Sequence, residues 1–316
     1  MIDQNTRLFS QYILYGKNKL PRNRAKLLTW VENNRVLYTL GQDPSMKSIK
    51  TQGREWIKKL ADTLTEIKLT LDEKEYLVTR TFKFIDFVTF DVDLFVGSNN
   101  FNKVVNKFKS KGFRIESHDN SLGGRLPGMQ VNIRKDDLLT IDLHQDFTWQ
   151  KRQFLEPKSV MRNPKERKIA GISVLTPSPE VELLLCIADI AHERFSITLL
   201  DLIWLKGLSK EIRDWNFVFN QAKKYKWLNV FKKVSSIVNQ IALDIYGQTI
   251  VGNVSPKKGF YQLPYFLSLP TCWMIYINTL LGYSHFPVVS FLYMHYNQFK
   301  YLIKNQMPYY SPWFKL

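Results

Sequence analysis

Along the first fifth of the chain the apolar residues recur every three or four positions. In NRAKLLTWVENNRVLYTLG, Leu27, Leu28, Val31 and Leu37 fall near helical spacing, and Gly41 with QDPS marks a stop. In GREWIKKLADTLTEIKLTL, Trp56, Ile57, Leu60, Leu64 and Ile67 form one stripe. From about residue 73 the period shortens to two. EYLVTRTF and FDVDLFVG read as strands. NNFNKVVNKFKSKGF reads as an amphipathic helix, with Phe101, Val104, Val105 and Phe108 on one face and Gly112 just past its end. FRIESH, MQVNIRK and LLTIDLHQDF read as further strands, with a turn-rich NSLGGRLPG after the first. WQKRQFLEPKSVMRNPKERK has no clear period and reads as a basic connector. TPSPEVELLLCIADIAHERFSITLLDLIWLKGL then opens a helical region, with Ser178 as N-cap and Pro179 as the first helical residue.

This order predicts an α+β chain built on a small mixed β-sheet. Residues 1–70 form a helical N-terminal region and residues 71–150 the α+β core. Residues 151–316 form the basic connector and a helical C-terminal domain.

Charge changes the picture. The 316 residues carry 45 Lys and Arg against 28 Asp and Glu, a formal net charge of +17. An excess of that size favours polyanionic partners. Basic groups lie at Lys17 to Lys26, Lys151 to Lys168 and KKYKW at 223–227. With Trp149, Tyr225 and Trp227 alongside, they fit phosphate contact plus base stacking, and RNA is the expected acceptor. No charged residue occurs between Lys258 and Lys300, but Pro264, Pro270 and Pro287 cut this stretch into pieces shorter than the roughly 20 residues a membrane span needs. No membrane association is expected. The N-terminus lacks the pattern of a signal peptide, and Cys186 and Cys272 lie in apolar surroundings with no CxxC spacing, so a cytoplasmic protein is expected.

The candidate chemistry sits in TFDVDLFVGS. Asp91 and Asp93 share one face of a strand, where two like charges repel unless a cation lies between them. A divalent cation such as Mg²⁺ or Mn²⁺ removes that repulsion and takes one or two carboxylates plus phosphate oxygens. Asp142, flanked by Ile141 and Leu143 at the end of a later strand, offers the third carboxylate of a site for in-line displacement at phosphorus. His144 follows on the same face, where it can contact a phosphate or support the aspartates. Replacing one of the paired aspartates by its amide should relieve repulsion in metal-free buffer.

The pattern FDVDLFV followed by TIDLH resembles the DNA-polymerase-β-type nucleotidyltransferase superfamily, and within it the branch of abortive-infection-type toxins and uncharacterised prokaryotic nucleotidyltransferases. The resemblance covers roughly residues 73–205. It implies Mg²⁺-dependent transfer of a nucleotide from an NTP to an acceptor, with Asp91, Asp93 and Asp142 as catalytic metal ligands. VELLLCIADIAHERFSITLLDLIWL resembles that branch's first long helix and carries over Arg194 and Asp201 as site-facing or framework residues. The family's Gly-Ser turn, about ten residues before the paired aspartates, is missing from YLVTRTFKFIDFV. Thr79, Arg80, Thr81 and Lys83 stand in its place as hydroxyls and cations able to bind triphosphate.

The remaining residues read more plainly. His192 is a structural histidine, Glu180 and Glu182 suit the N-terminal dipole of their helix, and GGRLPG is a hairpin connection rather than a phosphate loop. Two rival functions stay open: non-catalytic nucleic-acid binding on a decayed nucleotidyltransferase fold, and a primase-polymerase. Against the second, no Ser-x-His occurs between Asp93 and Asp142.

Overall fold

The computed structural model describes residues 4–15, 27–28, 31–32, 34–36, 47–85, 87, 89–117, 130–149, 152–194, 196–259, 261, 265–267 and 271. Five strands form its central sheet: β1 (Leu77–Thr79), β2 (Asp91–Phe95), β3 (Arg114–Ser117), β4 (Gln130–Arg134) and β5 (Thr140–His144). Their spatial order is β1-β2-β5-β4-β3. β2 and β5 run parallel and every other pair is antiparallel, so the expected mixed sheet is present and the fold is α+β.

The alternation of each central strand assigns its two faces. Val92, Leu94, Ile141 and Leu143 are fully buried against α1 (Lys47–Thr70) and α2 (Phe101–Ser110). α1 presents Leu60, Leu64 and Ile67 at helical spacing, and its Thr63 hydroxyl accepts the Leu139 N–H at 3.0 Å, which ties the helix to the start of β5. α2 buries Phe101, Val104 and Phe108, the face its sequence predicts. It ends in a Schellman turn: Gly112 stands at φ 81°, the Phe113 N–H reaches the Phe108 carbonyl at 3.1 Å, and the Gly112 N–H reaches that of Lys109 at 3.0 Å.

Leu77 and Phe95 look the other way, into a second apolar cluster with the C-terminal helices. These are α3 (Pro179–Ala188), α4 (Leu199–Ser209), α5 (Trp215–Lys224) and α6 (Leu228–Tyr246). Ser178 caps α3 by accepting the Val181 N–H, with Pro179 behind it as expected. α3 runs on as a π-helix over Asp189–Arg194, and Val181 to Ala188 are all buried.

The connector after β5 holds more structure than its pattern showed. A hairpin of β6 (Thr148–Trp149) and β7 (Arg152–Gln153) is followed by β8 (Lys165–Ile169) paired with β9 (Ile172–Thr176). In β8 only Ile169 is buried and the four residues before it, Lys165 to Lys168, are all charged, so this two-stranded ribbon shows no apolar period. Conversely EYLVTRTF gives only three strand residues, because Arg80 turns to φ 53°. The Lys17 to Lys26 group, GGRLPG, Cys272 and most of the uncharged C-terminal stretch lie outside the described residues. Among the described residues no helix is long and apolar enough to cross a membrane.

Candidate active site

Register alone brings the carboxylates together. Asp93 stands opposite Asp142 across the parallel β2–β5 pair, with Thr79 opposite it on its other side. Asp91, Asp93, Asp142 and His144 therefore share the sheet face turned towards the C-terminal helices. Asp91, Asp93 and Asp142 are half-buried and His144 is buried.

The repulsion between Asp91 and Asp93 is answered in part by Arg80. Its Nη2 donates to Asp93 Oδ1 at 2.6 Å, and the same nitrogen lies 3.2 Å from His144 Nε2. His144 Nε2 is in turn 2.9 Å from Asp93 Oδ1. One ring nitrogen either accepts from Arg80 or donates to Asp93; the geometry offers both. Burial raises the Asp93 carboxyl, but the Arg80 charge and the His144 hydrogen bond outweigh it and hold the group below the usual carboxylate range. Asp91 goes the other way: burial and then the Asp93 charge push it up, with Arg80 and a 3.2 Å hydrogen bond from the Thr89 hydroxyl offsetting only part of this.

Arg80 is held from several sides. It sits in a three-residue turn closed by the Thr81 N–H on the Thr79 carbonyl at 2.5 Å. Its own N–H reaches Glu182 Oε1 of α3 at 3.2 Å, and its Nη1 lies 4.0 Å from Asp189 in the π-helix. The window without glycine still passes through the left-handed region that glycine favours, and it does so at an arginine.

Other expected residues fall as follows. Thr79 and Thr81 are buried, and the Thr81 hydroxyl accepts the Asp93 N–H at 3.3 Å. The Lys83 ammonium lies 2.8 Å from the centre of the Trp204 ring on α4, and burial pushes it down to about 8. Asp201 closes a capping box with Thr198, accepting from its backbone N–H at 2.8 Å and its hydroxyl at 2.7 Å, a framework task. Arg194 ends the π-helix. Buried His192 stacks on Phe154 and meets Trp227 edge-on. Trp227 is also buried, its indole N–H bonded to the Phe154 carbonyl at 2.9 Å, so the expectation that it stacks on bases is corrected: packing and that hydrogen bond occupy it.

Glu182 is the residue the pattern reading undervalued. It is fully enclosed, and burial pushes its carboxyl up to about 7 despite Lys83 nearby. Its signal was a single carboxylate inside VELLLCIA, on a helix buried all round. Glu180, two residues earlier, serves the Arg213 N–H at 2.9 Å instead.

Two cavities flank the region. One of about 420 Å³ is bounded by Leu60, Thr81, Phe82, Lys83 and Lys168. A larger one of about 730 Å³ lies by Ser178, Glu180 and Arg213. Neither is lined by Asp91, Asp93 or Asp142, so cavity size does not point to the chemistry. Among the described residues no three carboxylate, histidine or cysteine side chains are gathered as a metal cluster. The donor chemistry nonetheless fits a hard divalent cation, because Asp91, Asp93 and Asp142 set carboxylate oxygens on one face of two neighbouring strands.

A family of uncharacterised nucleotidyltransferases matches the chain over residues 89–242, just under half its length. The match takes in β2, β5 and most of the C-terminal helices, and it supports the nucleotidyltransferase superfamily. No curated protein matches the chain.

Proposed function

We propose that the protein transfers a nucleotide from an NTP to an acceptor hydroxyl, with RNA as the acceptor. One observation carries this reading: Asp93 and Asp142 stand in register on neighbouring parallel strands, with Asp91 on the same face, inside the region matched by the nucleotidyltransferase family. Asp91, Asp93 and Asp142 would hold Mg²⁺ or Mn²⁺, which when bound supplies Lewis-acid stabilisation of the phosphoryl oxygens. Arg80 and His144 border the carboxylates as phosphate contacts, Thr79, Thr81 and Lys83 shape the turn that carries Arg80, and Arg194 stands at the far end of the π-helix. The parallel strands fix the spacing of Asp93 and Asp142, which orients the acceptor against the nucleotide.

Electrostatics supports a polyanionic acceptor. Beyond the net charge of +17, Lys233 is pushed below the ordinary lysine range by contact with Lys257, a like-charge pair that phosphates would stabilise. An enzyme consuming NTP and RNA belongs in the cytoplasm. A second reading, nucleic-acid binding without catalysis, draws on the Arg80–Asp93 ion pair, where a metal ligand already has a cation.

The deciding experiment incubates the protein and its Asp93→Asn and Asp142→Asn variants with Mg²⁺, each labelled NTP and total RNA. Transfer should fall by roughly a hundredfold or more in both variants, since metal stabilisation contributes several kcal/mol and about 1.4 kcal/mol is tenfold. RNA binding should persist. Equal transfer by all three proteins would exclude this site, and RNA binding without transfer by the wild type would favour the second reading.

A further inference from the structure

The Arg80 guanidinium lies where a cation for Asp93 would otherwise act, and its backbone is fixed independently of its side chain. Glu182 accepts the Arg80 N–H at 3.2 Å and the Thr81–Thr79 bond closes the turn, so the main chain stays put if the guanidinium leaves. Asp93 and His144 hold the side chain on the sheet, and Asp189 lies 4.0 Å away on the helical side. An arginine fork serves phosphate as well as carboxylate. We propose that Arg80 is a resident cation of the carboxylate site, exchanging Asp93 for the triphosphate when a metal–nucleotide complex binds. Metal alone then meets a competitor, whereas metal with nucleotide offers Arg80 a new anionic partner, so the site admits the two together. Glu182 is a positioning residue in this exchange. The inference rests on the nucleotidyltransferase reading, and its test does not depend on turnover.

The test titrates Mn²⁺ into wild type, Arg80→Gln and Arg80→Lys, alone and with a non-hydrolysable NTP analogue. Arg35→Gln is the control, because Arg35 acts on Asp91 only through space. Wild type should bind Mn²⁺ weakly alone and more tightly with the analogue. Arg80→Gln should bind Mn²⁺ alone about tenfold or more tighter, the scale of a lost charged hydrogen bond, and should gain little from the analogue. Arg80→Lys keeps the charge without the fork, should fall between the two, and carries the test if the glutamine variant does not fold. Arg35→Gln should stay within about threefold of wild type, as expected for a screened charge. Unchanged or weaker Mn²⁺ binding in the Arg80 variants, or an equal gain in Arg35→Gln, would overturn the exchange alone. Absence of Mn²⁺ binding in wild type and Arg80 variants alike would overturn the exchange and the metal-dependent reading together.

Discussion

The two aspartates of the DVD strand should respond to the same substitution with opposite signs. Asp93→Asn removes the negative charge that accepts the 2.6 Å Arg80 bond and leaves a guanidinium only 14% exposed without its nearest counter-ion. Breaking a buried ion pair by removing one partner costs about 3–5 kcal/mol. The small remaining exposure and the relief of repulsion on Asp91 reduce this to about 2–3 kcal/mol, or a fall in Tm of roughly 3–5 °C for a chain this size. Asp91→Asn should instead raise Tm, because its charged form is disfavoured by burial and by Asp93, while an amide oxygen still accepts from Thr89. The structure thus reverses, for Asp93, the relief of repulsion that the sequence suggests. The pH dependence follows the same signs. Asp93, held low, contributes stability above the unfolded value of about 4 that is lost as pH falls through its native pKa; Asp91, held high, destabilises as pH rises through its own. The assay is thermal unfolding followed by circular dichroism, in EDTA at pH 7 and low salt. An Asp93→Asn protein as stable as wild type would refute the ion-pair argument, and equal losses in both variants would refute the asymmetry.

Other expectations are checked as simply. Glu182→Gln keeps the acceptor for the Arg80 N–H but removes a carboxyl raised to about 7. Wild type should lose stability as pH rises through 7 and the variant should lose less, so urea midpoints measured from pH 5.5 to 8 should diverge upward. Gly207→Ala would place a Cβ about 2.0 Å from Phe84, so despite better helix propensity it should lower the urea midpoint by the equivalent of about 1–3 kcal/mol. Asn239→Ala removes a side chain that satisfies the Ile250 and Val251 N–H groups and the Val251 and Val254 carbonyls, and it should cost about 3 kcal/mol or more in the same assay. RNA affinity should fall steeply with salt, the log–log slope counting the phosphates neutralised; a flat response would remove nucleic acid as the acceptor.

The sequence by itself determined the elements whose pattern is carried by burial on one side. α2 with Gly112 beyond its end, the Ser178–Pro179 start of α3 and the alternation of β2 and β5 are local properties, and they appear where the periods put them. That alternation also placed Asp91 and Asp93 on one face, because period two is a feature of any strand. The tertiary structure decided what lies against that face. The pairing of β2 with β5 puts Asp142 beside Asp93, and the left-handed turn brings Arg80 back onto the same carboxylate. It also buries Glu182 under the turn and encloses Trp227, which in the sequence read as a surface aromatic. Charge pairing and desolvation depend on distances across 51 residues between Asp93 and His144 and 102 between Arg80 and Glu182, separations at which no local period carries information.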